Sequence, residues 1–538
     1  MLWTHTIQYI PMFNRSAKWR TALMVGRTCA LRLSSASIKQ GESCNEGLRV
    51  CVVGSGPAGF YVTKYLLKEP KIGPGLTVDI LDRLPTPFGL VRSGVAPDHP
   101  EVKAVQGDFE QVALDPRVTF LGNLTLGQDV VVEDLAKAYH IIVLAYGAGG
   151  DRKLNVPGAE LQGVFPAREF VSWYNGHPEF SHLSGEFQQA LSSSDTAVVI
   201  GVGNVALDCA RVLAKGAKGL QHTDICSHAL RVLASVGSSL RRVVVLGRRG
   251  HVQASFTIKE LRELTRMEDG HCLARGEELE MGRTEASLKE VKSHRSKARI
   301  DMLLSEVAGK ARDVPSHAKA VELRFLVGLS AVLPQENSPN RVGGVRVERN
   351  CLQVDPATGN QRAVGTGDRS EVIPCGLVLG SIGYCCLPVD GVPYDQDKAV
   401  ISNEGGRVSK MPGMYCSGWA RRGPSGIIGT NIADAKSVVA AITEDAINGA
   451  IPGMDRTLPG CKGLLEIIGE RDGQAQAMSH GGVFEGSRVQ GRAPWVVGWD
   501  GYKRIDKEEI ARGEKQGKPR EKMVNLKELI KVAQGNNS

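Results

Sequence analysis

Short, unbroken apolar runs recur along this chain, and several are followed at once by glycine-rich turns and then by helix-forming stretches. The run Leu48-Arg49-Val50-Cys51-Val52-Val53 predicts a strand, the segment from Phe60 to Lys68 a helix, and Leu76 to Leu81 a second strand. Between helix and second strand, Pro70-Lys71-Ile72-Gly73-Pro74-Gly75 predicts a turn. The same order returns at Thr196 to Ile200, a helix from Val205 to about Lys215, an insertion from Gly216 to Ser239, and a strand from Arg241 to Gly247. Runs of this kind lack polar alternation, as do strands covered on both faces of a parallel sheet. Further strands are predicted at His140 to Ala145, Gly376 to Tyr384 and Gly413 to Trp419, with a helix from Gly426 through Ala440. No run approaches the ~18 consecutive apolar residues of a membrane span.

The two strand-turn-helix units carry glycines at telling positions. The first turn reads Gly54-Ser55-Gly56-Pro57-Ala58-Gly59, and the second Gly201-Val202-Gly203-Asn204-Val205-Ala206. Glycines so spaced free backbone N–H groups at a helix start and let a pyrophosphate approach them closely. A lone motif of this kind also serves packing alone, so its context between strand and helix carries the weight. The second strands of the two units end differently. Leu76 to Leu81 is followed by Asp82, whereas Arg241 to Gly247 is followed by Arg248-Arg249. A carboxylate there accepts from ribose hydroxyls, and paired guanidinium groups receive a ribose phosphate. Two different dinucleotides are expected. The interval of 28 residues from Gly54 to Asp82 exceeds the simplest fingerprint of ~20 because of the long turn. Glu260, one short segment beyond the arginines, is either a ribose contact or an exposed helix acid.

With 538 residues, the chain exceeds a single hydrophobic core and should form two or three units. Its formal charge is +8, of which Arg15, Lys18, Arg20, Arg27, Arg32 and Lys39 supply six before the first acid, Glu42; 8 − 6 leaves about +2 for the rest. The body is therefore no nucleic-acid binder by bulk charge, and residues 1–41 read as a mitochondrial transit peptide. A secretory signal fits worse, because Arg27 interrupts the apolar run from Ala22 to Leu33. The twelve cysteines include no Cys-x-x-Cys pair and no zinc or iron–sulfur spacing, so no metal site is expected. A basic stretch from Arg283 to Arg299 reads by itself as a solvated face.

Longer strings carry a family resemblance. Pro87-Phe88-Gly89-Leu90-Val91-Arg92-Ser93-Gly94-Val95-Ala96-Pro97-Asp98-His99-Pro100-Glu101-Val102-Lys103, Gly203-Asn204-Val205-Ala206-Leu207-Asp208, Gly247-Arg248-Arg249-Gly250, Phe256 to Arg262, Ser417-Gly418-Trp419 with Arg422-Gly423-Pro424, and Gly517 to Lys522 resemble the mitochondrial NADPH–adrenodoxin (ferredoxin) reductases. The resemblance runs from about Arg49 to the C-terminus. It implies an α/β fold of two Rossmann-like domains of the glutathione-reductase type, the NADP domain (151–375) being inserted into an FAD domain (48–150 and 376–538). By the same resemblance, FAD contacts fall on Ala58, Asp82, Leu90, Leu126, Trp419, Gly426, Ile427 and Ile428, beside Gly54, Gly56 and Gly59 of the loop. NADPH contacts fall on Gly201, Val202, Gly203, Asn204, Arg248, Arg249, Glu260 and Gly426. Asp82 and Leu126 stand where relatives commonly carry Glu and Val.

The activity implied is an FAD-dependent NADPH:ferredoxin oxidoreductase whose partner, a mitochondrial two-iron, two-sulfur ferredoxin, docks on Arg262, Arg295, Lys297 and Arg299. Such a reaction needs no side-chain nucleophile, and no catalytic residue is nominated. His99 is either an aid to proton balance or a structural loop histidine. A disulfide reductase shares the paired loops but needs a redox dithiol. A non-catalytic FAD/NADP sensor and a flavin monooxygenase also fit the fold. Peripheral association with the inner membrane is left open by the sequence.

Overall fold

The computed structural model describes residues 47–72, 75–237, 239–310, 318–356, 358–478 and 496–535; the expected transit segment lies outside them. Two sheets organise the described chain. The first has seven strands in the order Asn403–Glu404, Arg407–Val408, Met414–Cys416, Ile141–Leu144, Arg49–Val53, Thr77–Asp82 and Val118–Gly122. The last five run parallel, with Val50 opposite both Val78 and Ile141, and Met414 opposite Ile142. Val50 to Val52 and Ile141 to Leu144 are buried, which is why their sequence reads as continuous apolar runs. Helices Pro57–Leu67 and Thr430–Ile447 pack together on one face. There Phe60, Phe88 and Phe109 form a buried aromatic group, Phe60 stacking on Phe109 at 5.0 Å, and the C-terminal helix Trp499–Glu514 closes it with Tyr502, whose ring lies 5.6 Å from that of Phe88.

The second sheet has six parallel strands, Val164–Pro166, Leu377–Gly380, Thr196–Ile200, Arg242–Gly247, Ala320–Phe325 and His271–Ala274 in that spatial order. Its helix face is covered by Asn204–Leu220 and Ser227–Val236, which fill the expected insertion. Gly216, with φ +59, bends the first of these where the sequence predicted its end. The opposite face is covered by an antiparallel meander, Val327–Gln335, Ser338–Val354 and Gln361–Pro374, whose Val345, Val347 and Ile373 pack on Val198 and Val244. Leu377–Gly380 belongs to this second sheet, paired with Ala197 to Ile200. The chain therefore returns to the first sheet only after Gly380, one strand later than the expected boundary at 376. Among the described residues no helix is long and apolar enough to cross a membrane.

Two segments tie the lobes. In the first, Asp98 accepts from Arg211 Nε at 2.8 Å and from Lys215 Nζ at 2.9 Å, while Lys103 Nζ donates to Asp224 at 2.6 Å. In the second, the tail after Glu514, Glu521 accepts from the Ser227 N–H at 2.9 Å and Lys518 Nζ donates to the Ile225 carbonyl at 2.5 Å.

Candidate functional site

Each glycine loop is shaped by close approach on one side and open space on the other. Gly54 has φ +109, and a Cβ there would lie 2.5 Å from the Ala145 carbonyl oxygen. Gly201 repeats this at φ +126, its Cβ falling 2.1 Å from the Ser381 carbonyl oxygen. Only glycine meets both demands. At Gly59 a Cβ would sit 2.0 Å from the Gly54 carbonyl, so helix and loop are in backbone contact; in the second unit Ala206, fully buried, occupies the corresponding place. By contrast, a Cβ on Gly56 or Gly203 would meet nothing within 4 Å. These open faces adjoin the first-turn N–H groups of Ala58 and Gly59, and of Asn204 and Val205, which lack intrahelical acceptors. Neither helix has a side-chain cap. Both arrangements fit a phosphate group held by backbone and helix dipole.

Around the first loop, three distant segments converge. The Phe88 N–H donates to the Ser55 carbonyl at 3.0 Å, and Gly89, at φ +49, lies against Gly56, so the helix Leu90–Ser93 begins beside the loop. A Cβ on Gly418 would lie 2.5 Å from that of Ala58, which places Trp419 at the loop as well. Trp419 stacks tilted on Tyr384 at 5.7 Å and donates from Nε1 to the Ser425 carbonyl at 3.3 Å. From there the chain passes Gly426, at φ +83, to Ile427, which is 65% exposed, and to Ile428, which packs on the first core. Leu126 is half-buried in the turn after Val118–Gly122, against the cluster that holds Val53 and Leu81. Leu90, Trp419 and Ile427 thus offer apolar surface beside the phosphate cradle, as a planar ring system requires.

Asp82 ends the second strand as expected, and its carboxylate is already engaged. Oδ2 accepts from the Ser55 N–H at 2.9 Å and from Ser55 Oγ at 2.5 Å; Oδ1 accepts from the Leu84 N–H at 2.9 Å. The shorter acid therefore braces the loop itself, leaving only its remaining lone pairs for a ribose. At the second unit the ends differ. Arg248 and Arg249 are anchored by their backbones, Asn350 Nδ2 donating to the Arg248 carbonyl at 2.9 Å and the Leu326 N–H to that of Arg249 at 3.0 Å. Neither guanidinium has a partner among the described residues. Two anchored, unpaired cations at this strand end suit a phosphate monoester.

Glu260 is brought to the same loop. The Ser255 N–H donates to the Val202 carbonyl at 2.9 Å and the Thr257 N–H to Asn204 Oδ1 at 2.8 Å, while Thr257 Oγ1 donates to Glu260. Thr257 also caps the helix Ile258–Thr265.

Sequence reasoning did not find the partner of His99. That histidine is 8% exposed, and its Nε2 lies 2.6 Å from Glu263 Oε2, across the junction of the lobes. Arg211, almost fully buried, joins Asp98, Asp208 and Glu263 there. Burial pushes the Asp208 carboxyl upward, while the Arg211 and Lys215 cations hold that of Asp98 well below the usual range against its own burial. Glu263 lies one helical turn after Glu260, the signal that could have found it.

The helices Ile258–Thr265 and Arg295–Lys310 pack through Leu261, Leu264, Ile300 and Leu304, bringing the expected docking residues onto adjoining elements. Arg262, Arg295 and Arg299 are exposed. Lys297 is not a free charge, because it pairs with Glu290.

The family model described as pyridine nucleotide-disulphide oxidoreductase matches residues 48–268. The chain is 41% identical to the mitochondrial NADPH:adrenodoxin oxidoreductase of Arabidopsis thaliana over 497 residues, covering 90% of this chain and 95% of that protein. Against the human protein of that name the identity is 42%, with 90% and 91% covered. The solved structure of Mycobacterium tuberculosis FprA in complex with NADPH superposes with a TM-score of 0.78 at 36% identity, covering 91% of this chain and all of that one. With the paired cradles and this similarity along nearly its whole described length, the chain belongs to the NADPH:adrenodoxin oxidoreductase family, flavoproteins that use FAD and NADPH.

Proposed function

We propose that the protein oxidises NADPH and delivers the electrons one at a time to a mitochondrial [2Fe–2S] ferredoxin, feeding haem monooxygenases or iron–sulfur assembly. The observation that carries this reading is the contrast between two similar cradles, one ending in Asp82 and the other in Arg248 and Arg249, whose guanidinium groups have no partner among the described residues. FAD, when bound, supplies the conversion of one two-electron donor into two one-electron deliveries. The chain's own residues bind and orient. Gly56, Ala58 and Gly59 present backbone N–H groups and a helix dipole to the flavin nucleotide's pyrophosphate, Gly54, whose N–H donates to the Leu81 carbonyl at 2.7 Å, makes the tight turn that aims them, and Ser55, braced by Asp82, holds that loop in shape. Leu90, Leu126, Trp419, Ile427 and Ile428 exclude water from the ring system. Gly201 to Asn204 cradle the second pyrophosphate, Arg248 and Arg249 receive the 2′-phosphate, and Glu260, oriented by Thr257, meets the adjacent ribose. The hydrogen bond between His99 Nε2 and Glu263 Oε2, 2.6 Å long at the lobe junction, keeps both clefts in register.

Residues 1–41 serve as the transit segment to the mitochondrial matrix; the Arabidopsis and human relatives carry the word mitochondrial in their names. A disulfide reductase would need a reactive thiolate. Cys386 is buried and its thiol is pushed up by that burial, which opposes the role.

An acidic ferredoxin would be steered to Arg262, Arg295 and Arg299. Replacing Arg262→Glu with Arg299→Glu should raise the apparent ferredoxin KM about tenfold or more and flatten its salt dependence, with NADPH-to-dye reduction unchanged. Equal loss of both activities contradicts the docking face.

A further inference from the structure

We propose that His251 is the positioning residue for the coenzyme's 2′-phosphate, acting through its bond to Asp301 to fix the turn from which Arg248 and Arg249 project. This rests on the reading of the arginine pair as the phosphate's receptor. Arg248 is exposed and Arg249 half-buried, yet the next four residues, Gly250 to Gln253, are buried. A buried turn with polar side chains needs partners for them, and two helices supply these. His251 Nε2 lies 2.8 Å from Asp301 Oδ1 on the helix Arg295–Lys310. Gln253 Nε2 donates to Ser287 Oγ at 3.1 Å on the helix Glu285–Ser293. Gly250 packs on the end of a third helix, Gly276–Gly282, where its Cβ would lie 3.4 Å from Gly282 Cα.

These bonds decide where the arginines point. The Arg248 and Arg249 carbonyls are held from the sheet side by Asn350 and Leu326. Next comes Gly250, the residue type that leaves a backbone most freedom, so the far end of the turn is fixed by whatever holds His251. That ring is buried, meets Phe325 edge-on at 5.8 Å between centroids, and makes one polar contact among the described residues, the one to Asp301. Burial keeps the imidazole below its ordinary range although Asp301 pulls the other way. The neutral ring therefore carries its proton on Nε2 and donates it to the carboxylate, a charge-assisted bond. Asp301 is steadied in turn by Arg283, whose Nε donates to the same oxygen at 2.9 Å. A phosphate monoester is gripped best by two guanidinium groups aimed at one point, and a turn ordered before the coenzyme arrives loses less entropy on binding. NADH lacks the 2′-phosphate and gains nothing from that order. His251 and Asp301 thus set the preference between the coenzymes, not coenzyme binding as a whole.

The test is steady-state dye reduction by the FAD-loaded full chain with NADPH and with NADH, reading the ratio of the two kcat/KM values. Asp301→Ala, at a partly exposed helix position, should lower that ratio about tenfold, with the fall lying in NADPH. His251→Ala should do the same, and the double variant should lose no more than either alone, because all three break one bond. His251→Gln should hold the ratio within about threefold of the unaltered protein, since its amide Nε2 can donate to Asp301 from the place of the imidazole Nε2. If His251→Ala does not fold, Asp301→Ala alone decides. An unchanged ratio in Asp301→Ala, equal falls with both coenzymes, additive losses in the double variant, or a His251→Gln as poor as His251→Ala would each overturn the proposal. With Arg248→Ala and Arg249→Ala together still collapsing the ratio, any of these results would leave the phosphate reading standing. A ratio that survives loss of both arginines would overturn the two together.

Discussion

At the scale of single residues, the proposed reading has the chain distinguish its two nucleotides by what each strand end does with its charge. Arg248 and Arg249 hold their backbones fixed and, among the described residues, leave both guanidinium groups without a partner, so removing them should cost NADPH and not NADH. In Arg248→Ala with Arg249→Ala, KM for NADPH should rise by about two orders of magnitude while that for NADH stays put; steady-state kinetics with both coenzymes decides it, and an equal change in the two refutes the assignment. His177 makes a separate, pH-dependent prediction. Burial, with Arg83, Arg168 and Arg92 nearby, brings its imidazole down to about 3. Its unfolded value is near 6.5, so below that pH the unfolded chain binds a proton that the folded chain does not. Stability from this group is therefore complete above pH 6.5 and declines as pH falls toward 3, by up to about 1.4 kcal/mol per unit. His177→Gln should flatten the acid limb of a melting-temperature profile; an unchanged limb assigns the loss to other groups. The charges at Asp82 and Arg248 were legible because a fingerprint places them. The engagement of Asp82 by Ser55, of His99 by Glu263 and of Lys297 by Glu290 was not, since each depends on how separate turns and helices meet.

At the scale of elements, the glycines of one loop divide into two kinds. Gly201 is demanded by the fold, with φ +126 and a Cβ position 2.1 Å from Ser381 O, whereas Gly203 sits at φ −108 with open space around it. Gly201→Ala should destabilise the protein by at least about 2 kcal/mol. Gly203→Ala should leave the melting temperature in place and weaken NADP+ binding, because its methyl would fill the open face proposed for the phosphate. Calorimetry and NADP+ titration separate the two, and an unstable Gly203→Ala would show the open face to be structural. Both strand-turn-helix units were readable from pattern, because doubly covered parallel strands leave unbroken apolar runs. The meander was not, since Gly343, Gly344 and the adjoining polar run Glu348-Arg349-Asn350 interrupt the short alternation of Val345-Arg346-Val347 along Ser338–Val354. Leu377–Gly380 reads the same in either sheet, and only its pairing with Thr196–Ile200 assigns it.

For the whole molecule, two lobes with separate cores meet at a junction crossed by Asp98, His99 and Lys103 on one side and by the C-terminal tail on the other. Their sites are useful to one another only if this junction keeps the two cofactors' reacting ends together. The central claim is that NADPH oxidation at one cradle becomes single-electron delivery outside the other. It is tested most directly by mixing the FAD-loaded protein with limiting NADPH and excess mitochondrial [2Fe–2S] ferredoxin under air-free conditions, and counting reduced ferredoxin spectroscopically. The account predicts two ferredoxins reduced for each NADPH consumed, with the flavin absorbance reoxidised at the end. A protein that binds both nucleotides yet leaves the flavin absorbance and the ferredoxin unchanged would contradict it.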